Sequence, residues 1–313
     1  MNRRALLSGA AGVALAAETR KSTHVYKTAG GVAIKADVYR SDDDALRPVV
    51  GWIHGGALIM GHREGVSAPV KRWASAKGYV LVSIDYRLAP ETPLPEIIGD
   101  VEDAFAWVRD EGRRLFRADT GRIAVAGGSA GGYLTLMTGY RVKPRPAALL
   151  SLWGYGDLIG DWYSTPSPHA RHHTSKMTKE EAYAQVSGPA VSDARDRKGD
   201  GGGFYQYCRQ TGTWPKAVSG WDPKREGARF FAYMPVKNVT REYPPTFMIH
   251  GTADTDVPHE QSVMMAAEMK KQGVRHELVS VTGAEHGLAG GDAKIVEAAY
   301  ARGFAFVDKG MEV

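Results

Sequence analysis

Ser129 sits within Gly127-Gly128-Ser129-Ala130-Gly131, with the apolar run Arg122 to Ala126 before it and the helix-like stretch Tyr133 to Met137 after it. Strand, glycine turn and helix in that order hold a serine in strained backbone geometry. Its hydroxyl then stands beside a helix N-terminus, where N–H groups lack partners. A serine hydroxyl is a poor nucleophile until a base takes its proton, and the base expected is a histidine oriented by a carboxylate. His250-Gly251-Thr252-Ala253-Asp254 follows the strand-like run Thr246 to Ile249, and Gly283-Ala284-Glu285-His286-Gly287 follows the run His276 to Val281. Asp254 is therefore expected to fix the tautomer of His286 and stabilise its imidazolium. His286 is expected to deprotonate Ser129 and then protonate the leaving group. Three bland readings stay open at this stage: Ser129 as a helix N-cap, Asp254 as a turn-former with Asp256 as the acid, and His286 as a surface loop residue.

The oxyanion that such an attack creates needs N–H donors. Trp52-Ile53-His54-Gly55-Gly56-Ala57 ends an apolar strand in a glycine turn. Gly55 and Gly56 can bring backbone N–H groups close to a substrate oxygen, and Ala130 supplies the N–H after the nucleophile. His54 reads as structural, bonding its own loop. Pro168-His169-Ala170-Arg171-His172-His173 could ligate a metal, but no acidic or cysteine ligands surround it in a recognisable spacing, which favours an exposed loop. Gly199-Asp200-Gly201-Gly202-Gly203 lacks the ending of a phosphate loop and reads as a flexible loop. The chemistry requires no cofactor and no metal.

The elements that must position these residues follow from periodicity. Val25 to Thr28 and Val32 to Tyr39 flank Gly30-Gly31 as an antiparallel hairpin. Pro48 to Ile53, Tyr79 to Ile84, Arg122 to Ala126, Ala147 to Trp153, Thr246 to His250 and His276 to Val281 read as strands. Helices are expected at Val66 to Lys77, Ile97 to Leu115, Glu260 to Gln272 and Asp292 to Asp308. Strands alternating with helices predict a mostly parallel sheet covered on both faces. Tyr155 to Tyr243 breaks the alternation. Only Lys179 to Val186 reads as helical there, yet the segment is too rich in aromatics for a disordered linker. It is expected to fold as a cap over the strand C-termini. Trp162, Tyr163, Trp214 and Trp221 would line an acyl or sugar pocket or fill the cap's own core.

A chain of 313 residues, 43% hydrophobic and 24% charged, suits one large α/β domain with an insertion. The net charge of +5 is spread along the chain rather than clustered, which argues against nucleic acid as a partner. Cys208 stands alone, so no intramolecular disulfide forms. Asn2-Arg3-Arg4-Ala5-Leu6-Leu7-Ser8 resembles a twin-arginine motif, and Ala5 to Ala17 is too short to span a bilayer. Residues 1–17 are expected to be an export signal, which implies a bacterial periplasmic or extracellular location. Residues 18–154 and 244–313 would form the core, and 155–243 the cap.

His54-Gly55-Gly56, Asp85-Tyr86-Arg87-Leu88-Ala89-Pro90-Glu91 and Gly127 to Gly132, taken with Asp254 and His286, resemble the α/β-hydrolases of the hormone-sensitive-lipase-like esterase group. The resemblance implies the α/β-hydrolase fold, a Ser-Asp-His triad and ester hydrolysis. Three features depart from the group: Ala57 replaces a third glycine, Gly128 replaces an acidic residue before the nucleophile, and the cap lies mid-chain. These move the chain toward feruloyl and acetyl-xylan esterase-like relatives. His250 to Asp254 with Val257-Pro258 also resembles the hydrolase domain of prolyl-oligopeptidase-like peptidases. The expected function is a serine carboxylesterase acting on short-chain acyl or carbohydrate-linked esters through an acyl-enzyme. The alternatives are a serine peptidase and a non-catalytic binding module. The expected partner is a small-molecule ester or acylated glycan, with neither nucleic acid nor a membrane span.

Overall fold

The computed structural model describes residues 19–312, so the expected export signal lies outside the described residues. Strands β1 (Thr19–Ala29) and β2 (Val32–Ser41) form the expected hairpin. There follow β3 (Arg47–Ile53), α1 (Ala68–Ala76), β4 (Val80–Ile84), α2 (Leu94–Phe116), β5 (Ala118–Gly128), α3 (Ala130–Arg141) and β6 (Ala148–Leu152). Five short helices come next: α4 (Asp161–Ser164), α5 (Lys179–Ala184), α6 (Gly202–Thr211), α7 (Trp214–Ser219) and α8 (Pro235–Asn238). The chain closes with β7 (Thr246–Gly251), α9 (Glu260–Lys271), β8 (His276–Val281) and α10 (Ala293–Met311).

Among the described residues the strands form one eight-stranded sheet in the order β1-β2-β4-β3-β5-β6-β7-β8. The β1–β2 and β2–β4 pairs are antiparallel and the rest are parallel. The inner strands are unbroken apolar runs because both faces are buried. Alternate residues serve opposite sides. Val49, Ile53, Ile123, Val125 and Leu149 join the core shared with α2 and α3. Val50, Trp52, Ala124, Ala126 and Leu150 join the core shared with α1 and α10. The expected α/β architecture, a mostly parallel sheet with helices on both faces and an inserted cap, is present.

One expectation for the cap is corrected. The Gly199 to Gly203 segment is not simply a loop: Gly201 is left-handed at φ 89°, and Gly202 and Gly203 begin α6. Glycine's poor helix preference is overridden there because Phe204, Tyr205 and Cys208 are buried on one side of the helix. The cap aromatics also resolve. Tyr163 stacks between Trp162 and Trp214, with ring centroids 3.6 and 3.9 Å away. Tyr163 and Trp214 are fully buried, in a core continuous with that beneath α2 and α3. They fill the cap and weld it to the sheet. Cys208 is buried within α6, and burial pushes its thiol up to about 12.

The tightest point of the fold is the β5–α3 turn. A Cβ on Gly131 would lie 2.0 Å from the carbonyl oxygen of Ile53 and 2.7 Å from that of His54. Backbone cannot yield as a side-chain tip can, so helix and strand meet here only because the residue is glycine. Gly131→Ala is expected to cost about 3 kcal/mol or more of stability, measured by chemical denaturation. Gly188→Ala, where a Cβ meets nothing within 4 Å, should change little.

Candidate active site

Ser129 occupies the turn between β5 and α3 with φ 57° and ψ −122°, a strained conformation for a non-glycine residue. Two bonds hold it: its N–H donates to Leu152 O at 2.9 Å, and its carbonyl accepts from Tyr133 N at 3.0 Å. It has no side-chain cap bond, so the N-cap reading does not explain the hydroxyl. His286 Nε2 lies 3.1 Å from Ser129 Oγ, and His286 Nδ1 lies 2.8 Å from Asp254 Oδ2. Three residues far apart in sequence thus form one hydrogen-bonded line at the C-terminal ends of β5, β7 and β8. With Nδ1–H donated to Asp254, Nε2 is free to accept from the serine hydroxyl.

Asp254 is built to stay ionised. Its Oδ1 accepts from the N–H groups of Asp256 and Val257, each at 2.9 Å, which leaves Oδ2 for His286. His250, buried and bonded to Val257 O and Ser262 Oγ, stands 3.3 Å from the same Oδ2. Burial alone would raise the carboxyl, but the bonds from His250, His286 and Val257 outweigh it and hold it at about 2. Glu285 ties the loops together. Its carboxylate accepts from Thr255 Oγ1, from His286 N at 2.8 Å and from Arg171 at 2.8 Å.

The expected oxyanion donors are equally close. A Cβ on Gly55 would lie 2.7 Å from Gly128 O and 3.2 Å from Ser129 Cβ, so glycine lets this loop lie against the nucleophile. The N–H groups of Gly55, Gly56, Ala57 and Ala130 have no acceptor among the described residues. Ala130 opens α3, where an N–H has no partner within the helix. His54 bonds Gly55 O through Nδ1 at 2.8 Å and stacks on Tyr86 at 4.3 Å. Burial pushes its imidazole down to about 4, which keeps it neutral and structural.

The Asp85 to Glu91 motif braces this loop. Tyr86 OH donates to His54 O at 3.0 Å. Arg87 pairs with buried Asp100 at 2.8 and 2.9 Å, and Glu91 holds Arg197 of the cap at 2.5 Å. Both side-chain departures from the esterase pattern acquire reasons. Ala57 is left-handed at φ 56°, which explains a preference for glycine there; Trp214 of the cap donates to its carbonyl at 2.9 Å and holds it in place. A Cβ on Gly128 would lie 3.3 Å from the Trp153 ring, so that indole fills the space of an acidic side chain. Trp153 itself has φ 39° and stands edge-on to His286 at 6.3 Å.

Trp153 and Glu285 carry no signal in the sequence beyond their adjacency to the motifs. The histidine-rich segment is largely exposed, as expected, except at His172. His172 is fully buried, with Nδ1 on Ser167 Oγ at 2.7 Å and Nε2 on Asp256 at 2.9 Å. The carboxylate at His286 Nδ1 is that of Asp254, whereas Asp256 lies on the Nε2 side at 3.6 Å.

A family model described as BD-FAE matches residues 36–269. The non-reducing polyketide synthase pkbA of Emericella nidulans is 27% identical over 326 residues, covering 86% of this chain and 13% of the synthase. The esterase LipI of Mycobacterium tuberculosis is 39% identical over 127 residues, covering 40% of this chain and 39% of LipI. The chain thus matches well under half the length of either relative. Among solved structures, the thermostable carboxylesterase EstE1, cloned from a metagenomic library, superposes with a TM-score of 0.67 at 23% identity, covering 96% of this chain and 91% of EstE1. An acetyl ester-xyloside bifunctional hydrolase from Caldicellulosiruptor lactoaceticus superposes at 0.65 and 21% identity, with 90% of each chain covered. These likenesses are of fold, that of the α/β-hydrolases. Among the described residues no helix is long and apolar enough to cross a membrane.

Asp254→Asn is expected to lower turnover by about four orders of magnitude, because the amide favours the wrong imidazole tautomer; single-turnover kinetics would check it. The downward shift of Asp254 also sets a stability window. Its contribution is full above its ordinary value of 3.8 and disappears as the pH falls toward 2. The stability gap between wild type and Asp254→Asn, followed by acid denaturation, should close over that range.

Proposed function

The chain belongs to the BD-FAE family, and we propose that it is a serine carboxylesterase hydrolysing short-chain acyl or carbohydrate-linked esters through an acyl-enzyme. The observation that carries this reading is the line from Ser129 Oγ through His286 to Asp254, at 3.1 and 2.8 Å, beside unpartnered N–H groups. Ser129 attacks the ester carbonyl as His286 Nε2 takes its proton. Ala130 with Gly55 and Gly56 donate to the oxyanion, each such donor contributing about 3 kcal/mol in the transition state. The imidazolium then protonates the departing alkoxide. Water, deprotonated by the same nitrogen, releases the acid. Structures that share the fold include a carboxylesterase and an acetyl ester-xyloside bifunctional hydrolase, which supports esters, acetylated sugars among them, as the substrate class.

Hydrolysis of p-nitrophenyl esters from acetyl to dodecanoyl, set beside aminoacyl p-nitroanilides, tests the proposal. The short esters should turn over fastest, and Ser129→Ala should lower that rate at least about a thousandfold. Turnover of the anilides alone would replace the esterase reading with a peptidase.

A further inference from the structure

Asp256 is buried in the same turn as Asp254, and its two oxygens face different ways. Oδ1 collects three donors from the cap: His172 Nε2 at 2.9 Å, Tyr205 OH at 2.5 Å and Arg209 Nη1 at 3.1 Å. Arg209 is itself buried among the rings of Trp162, Tyr163 and Tyr205, and it also donates to Asp256 O at 2.9 Å. Among the described residues Oδ2 accepts no hydrogen bond. It points at the other side of the histidine, 3.6 Å from His286 Nε2, with Arg171 Nη2 at 3.8 Å. Burial opposes ionisation of Asp256, but its bonds from His172 and Tyr205 and the charges of His286 and Arg209 hold the carboxyl far below the usual range.

The charges around His286 can be counted. Asp254 faces Nδ1, Asp256 faces Nε2, and Glu285 precedes it in the chain. Arg171 pairs with Glu285 and Arg209 with Asp256, while His172 and His250 use their ring nitrogens in hydrogen bonds. Trp153 presents only a ring edge. Three carboxylates therefore meet two guanidiniums, and the cluster becomes neutral when His286 carries its second proton. That is the state reached as Ser129 attacks.

We propose that Asp256 is a positioning residue for the His286 imidazolium, holding its Nε2 side through the free oxygen while the cap fixes the other oxygen. The proposal rests on the reading of Ser129 and His286 given above, and it gives the cap a role in setting the basicity of the histidine. A carboxylate that only docked the cap would affect stability or substrate affinity and leave the histidine's titration unmoved.

The test is the pH dependence of kcat/KM for p-nitrophenyl acetate in wild type and Asp256→Asn, with the His286 ring titrated in parallel by nitrogen-15 NMR. Loss of the carboxylate leaves Arg209 uncompensated, so the acid limb and the NMR midpoint should both move about one unit to lower pH. Midpoints within a few tenths of a unit, with only KM or thermal stability changed, would overturn the proposal. Should Asp256→Asn not fold, the low-pH spectrum of Ser129→Ala decides. A slowly exchanging, downfield Nε2–H supports a bond to Asp256, and a rapidly exchanging one refutes it. The NMR arms need no turnover, so a wild type inactive on esters would count against the esterase reading and leave this result intact.

Discussion

Helix α3 begins with its backbone pressed onto the carbonyls of Ile53 and His54, and Ser129 N–H is anchored to the end of β6. That contact of main chain with main chain is what the rest of the site depends on. It fixes the serine in a strained turn and points the start of α3 at the space above the sheet. It also brings the loop after β3 so close that a Cβ on Gly55 would lie 3.2 Å from the serine Cβ. Strain of this kind persists only where surrounding structure over-determines it. Here the surroundings are two parallel strands buried on both faces.

The loops that carry Asp254 and His286 are held partly by their own backbone and partly by neighbouring side chains. One oxygen of Asp254 is occupied by the turn's own N–H groups, so the other has a single orientation toward His286. Glu285 bonds the acid loop and the histidine loop at once. On the opposite side Tyr86 and Trp214 grip the glycine loop through the carbonyls of His54 and Ala57. The Asp85 to Glu91 motif is explained by this bracing: its tyrosine props one wall of the site, and its glutamate ties that wall to the cap.

The cap is part of the same solid. Its aromatic stack merges with the core beneath α2 and α3, and the ion pairs of Arg209 and Arg171 end on the loops that carry Asp254 and His286. Arg171, His172, Tyr205 and Arg209 meet Glu285 and Asp256, so a shift of the cap would be felt by both of those loops. Burying Arg209 is costly unless its charge is matched, and the match is a carboxylate whose other oxygen looks at His286.

Much of this was legible in the residues alone. Alternation of apolar runs with helical spacing determined the α/β layering, since both patterns depend only on local geometry and on which faces meet water. Gly-x-Ser-x-Gly, the glycine turn after β3, and an acid and a histidine each after a strand determined the candidate site, because each of these needs only its own local turn. The helices of the cap were largely missed. Gly202 and Gly203 disfavour a helix by themselves, and only the burial of Phe204, Tyr205 and Cys208 against distant partners overrides them. His172 was read as exposed for the same reason: its partner Asp256 lies 84 positions away. Which of Asp254 and Asp256 faces Nδ1 was likewise undecided by spacing. Two carboxylates two residues apart in a turn differ mainly in direction, and direction was decided by the tertiary structure, through the cap donors His172, Tyr205 and Arg209 that claim Asp256 and the distant loop that brings His286 to Asp254.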